Sequence, residues 1–143
     1  MNTSGYIEYM HNVFYVKVLG PWNYETFEHY NNDFNKLLIG NKCPSYSVFA
    51  VLEGDSLMIP EVCETFKKAT TKRIATGLKH VAFYLSKSAC PNAFKQQFHD
   101  LYQNKNINFK FFNDIDSAKS WLKTYEIILG DKLVNKLLYF TRE

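Results

Sequence analysis

Two continuous apolar runs mark the centre of the predicted fold. Residues 48–52 (VFAVL) and 81–85 (VAFYL) lack the alternation that half-exposed strands show. Unbroken runs of this kind are typical of parallel strands that are covered on both faces of a sheet. The segment between them is long enough for a crossover helix, and Pro60 suits the first turn of that helix. The pattern therefore predicts a strand–helix–strand unit at the core of an α/β sheet.

A β-hairpin is predicted at the start of the chain. Residues 6–10 and 13–19 are rich in β-branched and aromatic side chains, and a polar turn at residues 11–12 (HN) separates them. Residues 20–21 (GP) then end the second strand. One more strand is predicted late in the chain, at residues 108–112 (NFKFF).

Stripes of apolar side chains at helical spacing predict three helices between these strands. Asn23 is the expected N-cap of the first helix, which ends near residues 40–41 (GN). The helix that begins at Pro60 stops at Gly77, and Pro91 suits the first turn of the third helix. The three stripes consist of Phe27, Tyr30, Phe34, Leu37 and Leu38, of Val62, Phe66, Ala69 and Ile74, and of Phe94, Phe98, Leu101 and Tyr102.

Two further helices are predicted after the last strand. Asp114 or Asp116 caps a helix that ends at Gly130, and Asp131 caps a short amphipathic helix in the tail. The tail helix either packs back on the domain, which we favour, or covers a partner. The two stripes consist of Ala118, Trp121, Leu122, Tyr125 and Ile128 or Leu129, and of Leu133, Val134, Leu137 and Leu138.

The resulting order of elements is β-β-α-β-α-β-α-β-α, with residues 131–143 as an extra C-terminal helix. Alternating strands and helices after a leading hairpin predict an α/β fold with a mixed, mostly parallel sheet and helices that cover it. A chain of 143 residues suits one domain, so we expect residues 1–143 to form a single one.

Composition and charge argue against several classes of site. The chain has 17 basic and 14 acidic side chains, and this excess is too small to indicate nucleic-acid binding. Cys43, Cys63 and Cys90 lack the spacing of metal ligands, so we expect no metal, no cofactor and free thiols in a reducing cytoplasm. The sequence shows no secretory signal and no apolar run of the ~20 residues that a membrane span needs.

The second half of the Pro60 helix is basic. Lys67, Lys68, Lys72 and Arg73 are crowded there. We interpret them as a solvated face that complements the negative end of the helix dipole. The alternative is an anion-binding face.

Six stretches along the chain carry a resemblance to a known family. They are residues 16–23 (VKVLGPWN), 49–52 (FAVL), 58–61 (MIPE), 79–85 (KHVAFYL), 111–112 (FF) and 118–122 (AKSWL). In these stretches the chain resembles the STAS superfamily, and more closely its SpoIIAA-like (STAS/SEC14-type) branch of small bacterial proteins. The resemblance covers roughly residues 6–125 and leaves the tail outside.

The resemblance implies a non-enzymatic binding or regulatory module that acts through protein–protein contact or self-association. In classical members, a partner kinase phosphorylates a serine at the start of the helix after the first core strand. Residues 58–61 (MIPE) correspond to that motif and carry no hydroxyl, so we do not expect the phosphoswitch here. The first alternative, by analogy with SEC14-type relatives, is a domain that binds a small apolar or anionic ligand. The second is an enzyme that uses Cys90, since a helix N-terminus beside a thiol lowers the pKa of that thiol.

Any binding site is expected at the carboxyl-terminal edge of the parallel strands, which we call the rim. Ligands of open α/β sheets gather there, and the free N–H groups of the following helices favour an anion or an acidic partner. The alternative is that the polar residues only cap their helices and that Trp22 covers the core. The predicted rim residues are Trp22, Asn23, Asp55, Ser56, Met58, Ser88, Cys90 and Asp114.

Overall fold

A computed structural model describes residues 5–54, 57–88, 91–103 and 105–140 of the chain. Within these residues, five strands form one sheet in the order β1-β2-β3-β4-β5. The first pair is antiparallel and the other three pairs are parallel, so the predicted mixed α/β fold is confirmed. The strands are β1 (Gly5–Met10), β2 (Val13–Leu19), β3 (Tyr46–Gly54), β4 (Leu78–Ser88) and β5 (Asn108–Phe112).

Helices follow the strands in the predicted order. They are α1 (Tyr24–Asn41), α2 (Pro60–Ala75), α3 (Pro91–Tyr102), α4 (Ile115–Lys123) and α5 (Asp131–Tyr139). None of the helices among the described residues is long and apolar enough to cross a lipid bilayer.

The sheet separates two hydrophobic cores. On one face, alternate side chains of β2, β3 and β4 pack against α1, α2 and α3 through rings such as Phe34, Phe66 and Phe98. On the other face, the intervening side chains pack against Leu122 of α4 and Leu137 of α5. Both faces of β3 and β4 are therefore covered, which explains the unbroken apolar runs in the sequence.

The hairpin turn is where the sequence predicted it. His11 and Asn12 both have positive φ, 49° and 66°. Two consecutive left-handed residues form the turn whose twist matches that of the flanking strands. The tight β1–β2 connection follows from this local geometry.

The tail helix α5 packs on the sheet and is held at both ends by β2. At the start of α5, the Gly130 N–H donates to the Tyr15 hydroxyl (2.9 Å). At its end, Lys17 Nζ donates to the carbonyl oxygens of Leu138 (3.2 Å) and Phe140 (2.8 Å). Leu133, Val134 and Leu137 are buried between these two contacts, so the interpretation that the tail packs back is confirmed.

Three expectations about helices were wrong. Helix α4 ends at Lys123 rather than Gly130, because Glu126 takes a left-handed conformation (φ 63°) and the Ile127 N–H donates to Leu122 O (3.1 Å). The N-cap of α5 is Gly130, and Asp131 instead pairs with Lys119 Nζ at 2.8 Å.

The third expectation that was wrong concerns the exposure of Arg73. We interpreted it as part of a solvated basic face, but it is 5% exposed. Lys67, Lys68 and Lys72 of the same helix are exposed, as predicted. The difference lies in the position of Arg73 on the buried stripe of α2, below Val62, Phe66 and Thr70.

Candidate functional site

The structure brings Trp22 and Met58 together at the rim. The loops after β2 and β3 form a parallel bridge between these two residues, and the Gly20 N–H donates to Glu53 O (2.9 Å) just before it. Gln97 of α3 holds the Met58 backbone from both sides, by accepting from its N–H (3.0 Å) and donating to its carbonyl (2.9 Å). Both Trp22 and Met58 are buried, so this part of the rim is closed.

Asn23 and Asp114 cap helices. Asn23 Oδ1 accepts from the Thr26 N–H (2.8 Å) at the start of α1. Asp114 accepts from the Ser117 N–H (2.7 Å) and the Ser117 hydroxyl (2.8 Å) at the start of α4. These hydrogen bonds lower the pKa of the Asp114 carboxyl, because they stabilise its charged form. Each side chain therefore satisfies part of its own helix terminus.

The structure describes the other predicted rim residues only in part. Asp55, Ser56 and Cys90 lie outside the described residues. Ser88 is the last residue of β4, and its side chain also lies outside the description. A ligand site at the rim therefore stays a prediction.

An interior cavity lies between the sheet and helices α1, α2 and α3. It has a volume of about 30 Å³, which is room for about two water-sized groups. Its floor is formed by apolar side chains of β2, β3 and β4, and Thr70 and Arg73 of α2 are its polar wall. The aromatic residues of the lining are Trp22, Tyr30, Phe34, Phe66, Phe98 and Tyr102.

Arg73 is buried among aromatic rings rather than carboxylates. Its guanidinium carbon lies 4.1 Å from the centroid of the Phe34 ring and 5.4 Å from that of Tyr30. Its Nη2 donates to Asn31 Oδ1, whereas its Nε has no hydrogen-bond partner in the part of the chain that the structure describes. None of the ion pairs among the described residues involves Arg73. The buried positive charge is thus left without a counter-charge in the described part of the chain.

A surface groove of about 650 Å³ runs between α1 and α2 on the outer side of the same region, and we call it the α1–α2 groove. Arg73 lines both this groove and the interior cavity, so it stands in the wall between them. None of the described residues that line the groove is acidic. Its lining residues are Asn31, Asn35, Leu38, Ile39, Thr65, Lys68, Ala69, Lys72, Arg73 and Thr76.

The tyrosines around the cavity remain neutral hydrogen-bonding groups at ordinary pH. Burial raises the pKa of Tyr30 and of Tyr102, and the nearby Arg73 charge opposes both shifts without cancelling them. The positive charges at this place therefore belong to Arg73, Lys68 and Lys72, with no ionised tyrosine to balance them.

The described nucleophiles are poorly arranged for catalysis. Burial raises the pKa of the Cys63 thiol, which disfavours the reactive thiolate. Cys43 is buried, with its sulfur 3.2 Å from Asn12 Oδ1 and from Ser45 O. Ser47 Oγ lies 3.3 Å from His80 Nδ1, but Ser47 is only 5% exposed. No three His, Cys, Asp or Glu side chains of the described residues cluster as a metal site would require.

Sequence reasoning missed Arg73 as a site residue although the signal is present. Val62, Phe66 and Arg73 follow one another at helical spacing, so the buried stripe of α2 passes through the arginine. A cation on an apolar stripe is rarely buried without a partner. Arg73 differs from the neighbouring lysines because it lies on the buried stripe of α2, and all of these side chains are cationic.

Comparison of the chain with protein-family models and with curated proteins finds no match.

Proposed function

We propose that the protein is a small-molecule binding domain for an anionic ligand, with Arg73 as the anchor of the site. The observation that carries the proposal is the buried guanidinium in the wall between the α1–α2 groove and the interior cavity, which has no acidic partner among the described residues. This function corresponds to the first alternative of the sequence analysis, a domain that binds a small apolar or anionic ligand.

The cost of burying a charge is the physical basis of the proposal. An unpaired ion in a low-dielectric interior is strongly unfavourable unless a partner neutralises it. Among the described residues, Arg73 is compensated only by one amide oxygen and by the faces of Phe34 and Tyr30. An anionic ligand would supply the missing charge, and the guanidinium geometry favours planar carboxylate or phosphate oxygens.

The α1–α2 groove supports the proposal by its size and lining. A volume of about 650 Å³ is within the range of small-molecule sites. Lys68 and Lys72 add positive charge, Asn31 and Asn35 add amide groups, and Ile39 adds apolar contact. These groups suit an organic acid better than a neutral compound.

We keep the STAS resemblance as part of the proposal, at the level of fold alone. At the stretch that corresponds to the phosphorylated motif, Met58 is buried and Pro60 is the first residue of α2. A phosphoswitch is therefore not proposed. Protein contact through an apolar surface has less support, because the most exposed large apolar side chains, Ile39, Ile128 and Tyr139, lie on different segments.

The test is binding of small acids to the purified protein. Isothermal titration with acetate, benzoate and inorganic phosphate, each against its neutral analogue where one exists, should show binding of anions only. Arg73→Gln should abolish this binding, and Lys72→Gln should weaken it several-fold at low salt. Lys67→Gln is the matched control, because Lys67 is exposed on the same helix but does not line the groove. Anion binding that survives Arg73→Gln unchanged would refute the proposal.

A further inference from the structure

Two residues that line the interior cavity each carry a buried hydrogen-bond donor. Trp22 Nε1 and Arg73 Nε have no hydrogen-bond partner among the described residues. Trp22 is 3% exposed and Arg73 is 5% exposed. Indole and guanidinium groups can only donate, so neither can satisfy the other.

The Tyr30 ring contacts both donor residues. Its centroid lies 5.7 Å from that of the Trp22 ring and 5.4 Å from the Arg73 guanidinium carbon. Both donor residues therefore pack against the same ring of the cavity lining. Both donors require a hydrogen-bond acceptor. An anion beside Arg73 would accept a hydrogen bond and would also neutralise the charge of the guanidinium.

The cavity limits the size of that anion. A volume of about 30 Å³ admits a group of about two heavy atoms beyond the wall. A carboxylate group has three heavy atoms in one plane and comes near this limit, whereas phosphate and sulfate have five heavy atoms in a tetrahedron and exceed it. Arg73 also lines the α1–α2 groove, where Leu38 and Ile39 offer apolar contact to the rest of an organic acid.

We propose that the ligand is a monocarboxylic acid whose carboxylate enters the interior cavity and accepts hydrogen bonds from Trp22 Nε1 and Arg73 Nε. This inference rests on the proposed function and makes it more specific. A bound water would satisfy the two donors but leave the charge of Arg73 uncompensated. Asn31 already accepts from Nη2, so the free Nε is the donor that the carboxylate uses.

The decisive measurement is the NMR resonance of the Trp22 indole N–H in the unmodified protein. Acetate and benzoate should shift this resonance, since a charge-assisted hydrogen bond forms at that proton. The Trp121 indole, on the opposite face of the sheet, is an internal control and should not move. Phosphate, which exceeds the size limit of the cavity, should leave the Trp22 resonance in place at concentrations at which acetate saturates.

Variants then separate the inference from the function on which it rests. Trp22→Phe should weaken acetate binding about tenfold, the loss expected for one hydrogen bond to a charged group, and Trp121→Phe should not.

The outcomes distinguish the two proposals. If anions bind in an Arg73-dependent way while the resonance of the Trp22 indole does not shift, the carboxylate placement is wrong and the proposed function stands. If chloride or phosphate shifts Trp22 at lower concentration than acetate does, the proposed ligand class is wrong. If no anion binds in an Arg73-dependent way, both proposals are wrong.

Discussion

At the scale of one residue, Arg73 is a buried charge without a counter-charge among the described residues. Its neighbours are aromatic faces and one amide, which attract a cation but do not neutralise it. Replacing a buried ion by an apolar side chain of similar size is often neutral or stabilising. The ligand-free protein should therefore tolerate the loss of this charge.

We predict that Arg73→Met leaves the free energy of unfolding unchanged or raises it by about 1 kcal/mol, while anion binding is lost. Met retains an unbranched stem that fills the same space. Urea denaturation of the ligand-free protein measures the effect, and Lys67→Met is the exposed control. A loss above about 2 kcal/mol would show that Arg73 stabilises the fold itself.

Tyr6 gives a prediction about alkaline pH. Burial and a 2.5 Å hydrogen bond to Glu8 Oε2 raise the pKa of Tyr6 to about 12. Unfolded tyrosine titrates near 10, so the stability that Tyr6 contributes is complete below about pH 10 and is lost as the pH rises to about 12. The unfolding free energy of the wild type should fall more steeply over this interval than that of Tyr6→Phe.

The control for this comparison is Tyr139→Phe, since Tyr139 is 79% exposed. Its pH profile should follow that of the wild type. If the unfolding free energies of the wild type and Tyr6→Phe change in parallel between about pH 10 and about pH 12, folding does not raise the pKa of Tyr6.

At the scale of an element, α5 is held on the sheet by a buried lysine. Lys17 is 2% exposed, and its Nζ reaches the last carbonyls of the helix and lies 3.9 Å from Glu53 Oε1. Burial lowers the pKa of Lys17, and the Glu53 charge opposes that shift. A cation at a helix C-terminus satisfies carbonyls that have no partner within the helix.

Lys17→Met should lower the free energy of unfolding by about 1–3 kcal/mol, because it leaves these carbonyls without a donor. Lys132→Met, on the exposed face of α5, should change it by less than about 0.5 kcal/mol. Equal stability of the two variants would show that water replaces the lysine. Truncation after Gly130 should be more severe, since it uncovers the apolar side chains of β2 and β3 on that face.

The helices of the two faces differ in how deeply they bury their large rings. Phe66 of α2 is 4% exposed and contacts the rings of Trp22, Phe27 and Phe98 at 5.4–5.6 Å between centroids. Trp121 of α4 is only partly buried. Phe66→Ala should therefore cost about 3–5 kcal/mol in denaturant melts, and Trp121→Ala should cost less. A larger loss for Trp121→Ala than for Phe66→Ala would show that Trp121 contributes more to the stability of the fold than Phe66 does.

At the scale of the whole molecule, the two cores share the strands that separate them. Each of β2, β3 and β4 contributes alternate side chains to both cores, so loss of one core removes the support of the other. We therefore predict a single cooperative unfolding transition. Trp22 lies in one core and Trp121 packs against the other, which gives each face its own fluorescence reporter.

Trp121→Phe leaves Trp22 as the reporter, and Trp22→Phe leaves Trp121. In each variant, the urea midpoint from fluorescence should coincide with the midpoint from far-ultraviolet circular dichroism. Two separated midpoints within one variant would mean that the faces unfold independently.

The sequence by itself determined the elements whose signals are local. Unbroken apolar runs located β3 and β4, the pair at residues 11–12 located the hairpin turn, and Pro60 and Pro91 located the starts of α2 and α3. The backbone preferences of proline and turn residues, and the apolar pattern of a strand that is buried on both faces, can be recognised from residues that are close in the chain. The end of α4 escaped this reasoning because Glu126 is not a residue type that usually takes a left-handed conformation.

Only the tertiary structure decided where the candidate site lies. The four cationic side chains of α2 have similar chemistry, and their burial depends on the angle at which the helix packs against α1 and the sheet. That packing exposes Lys67, Lys68 and Lys72 and turns Arg73 inward onto Phe34 and Tyr30. It also brings the Trp22 indole to the same cavity. Trp22 and Arg73 are 51 positions apart in the chain, so their common need for an acceptor arises only when the fold brings the two side chains together.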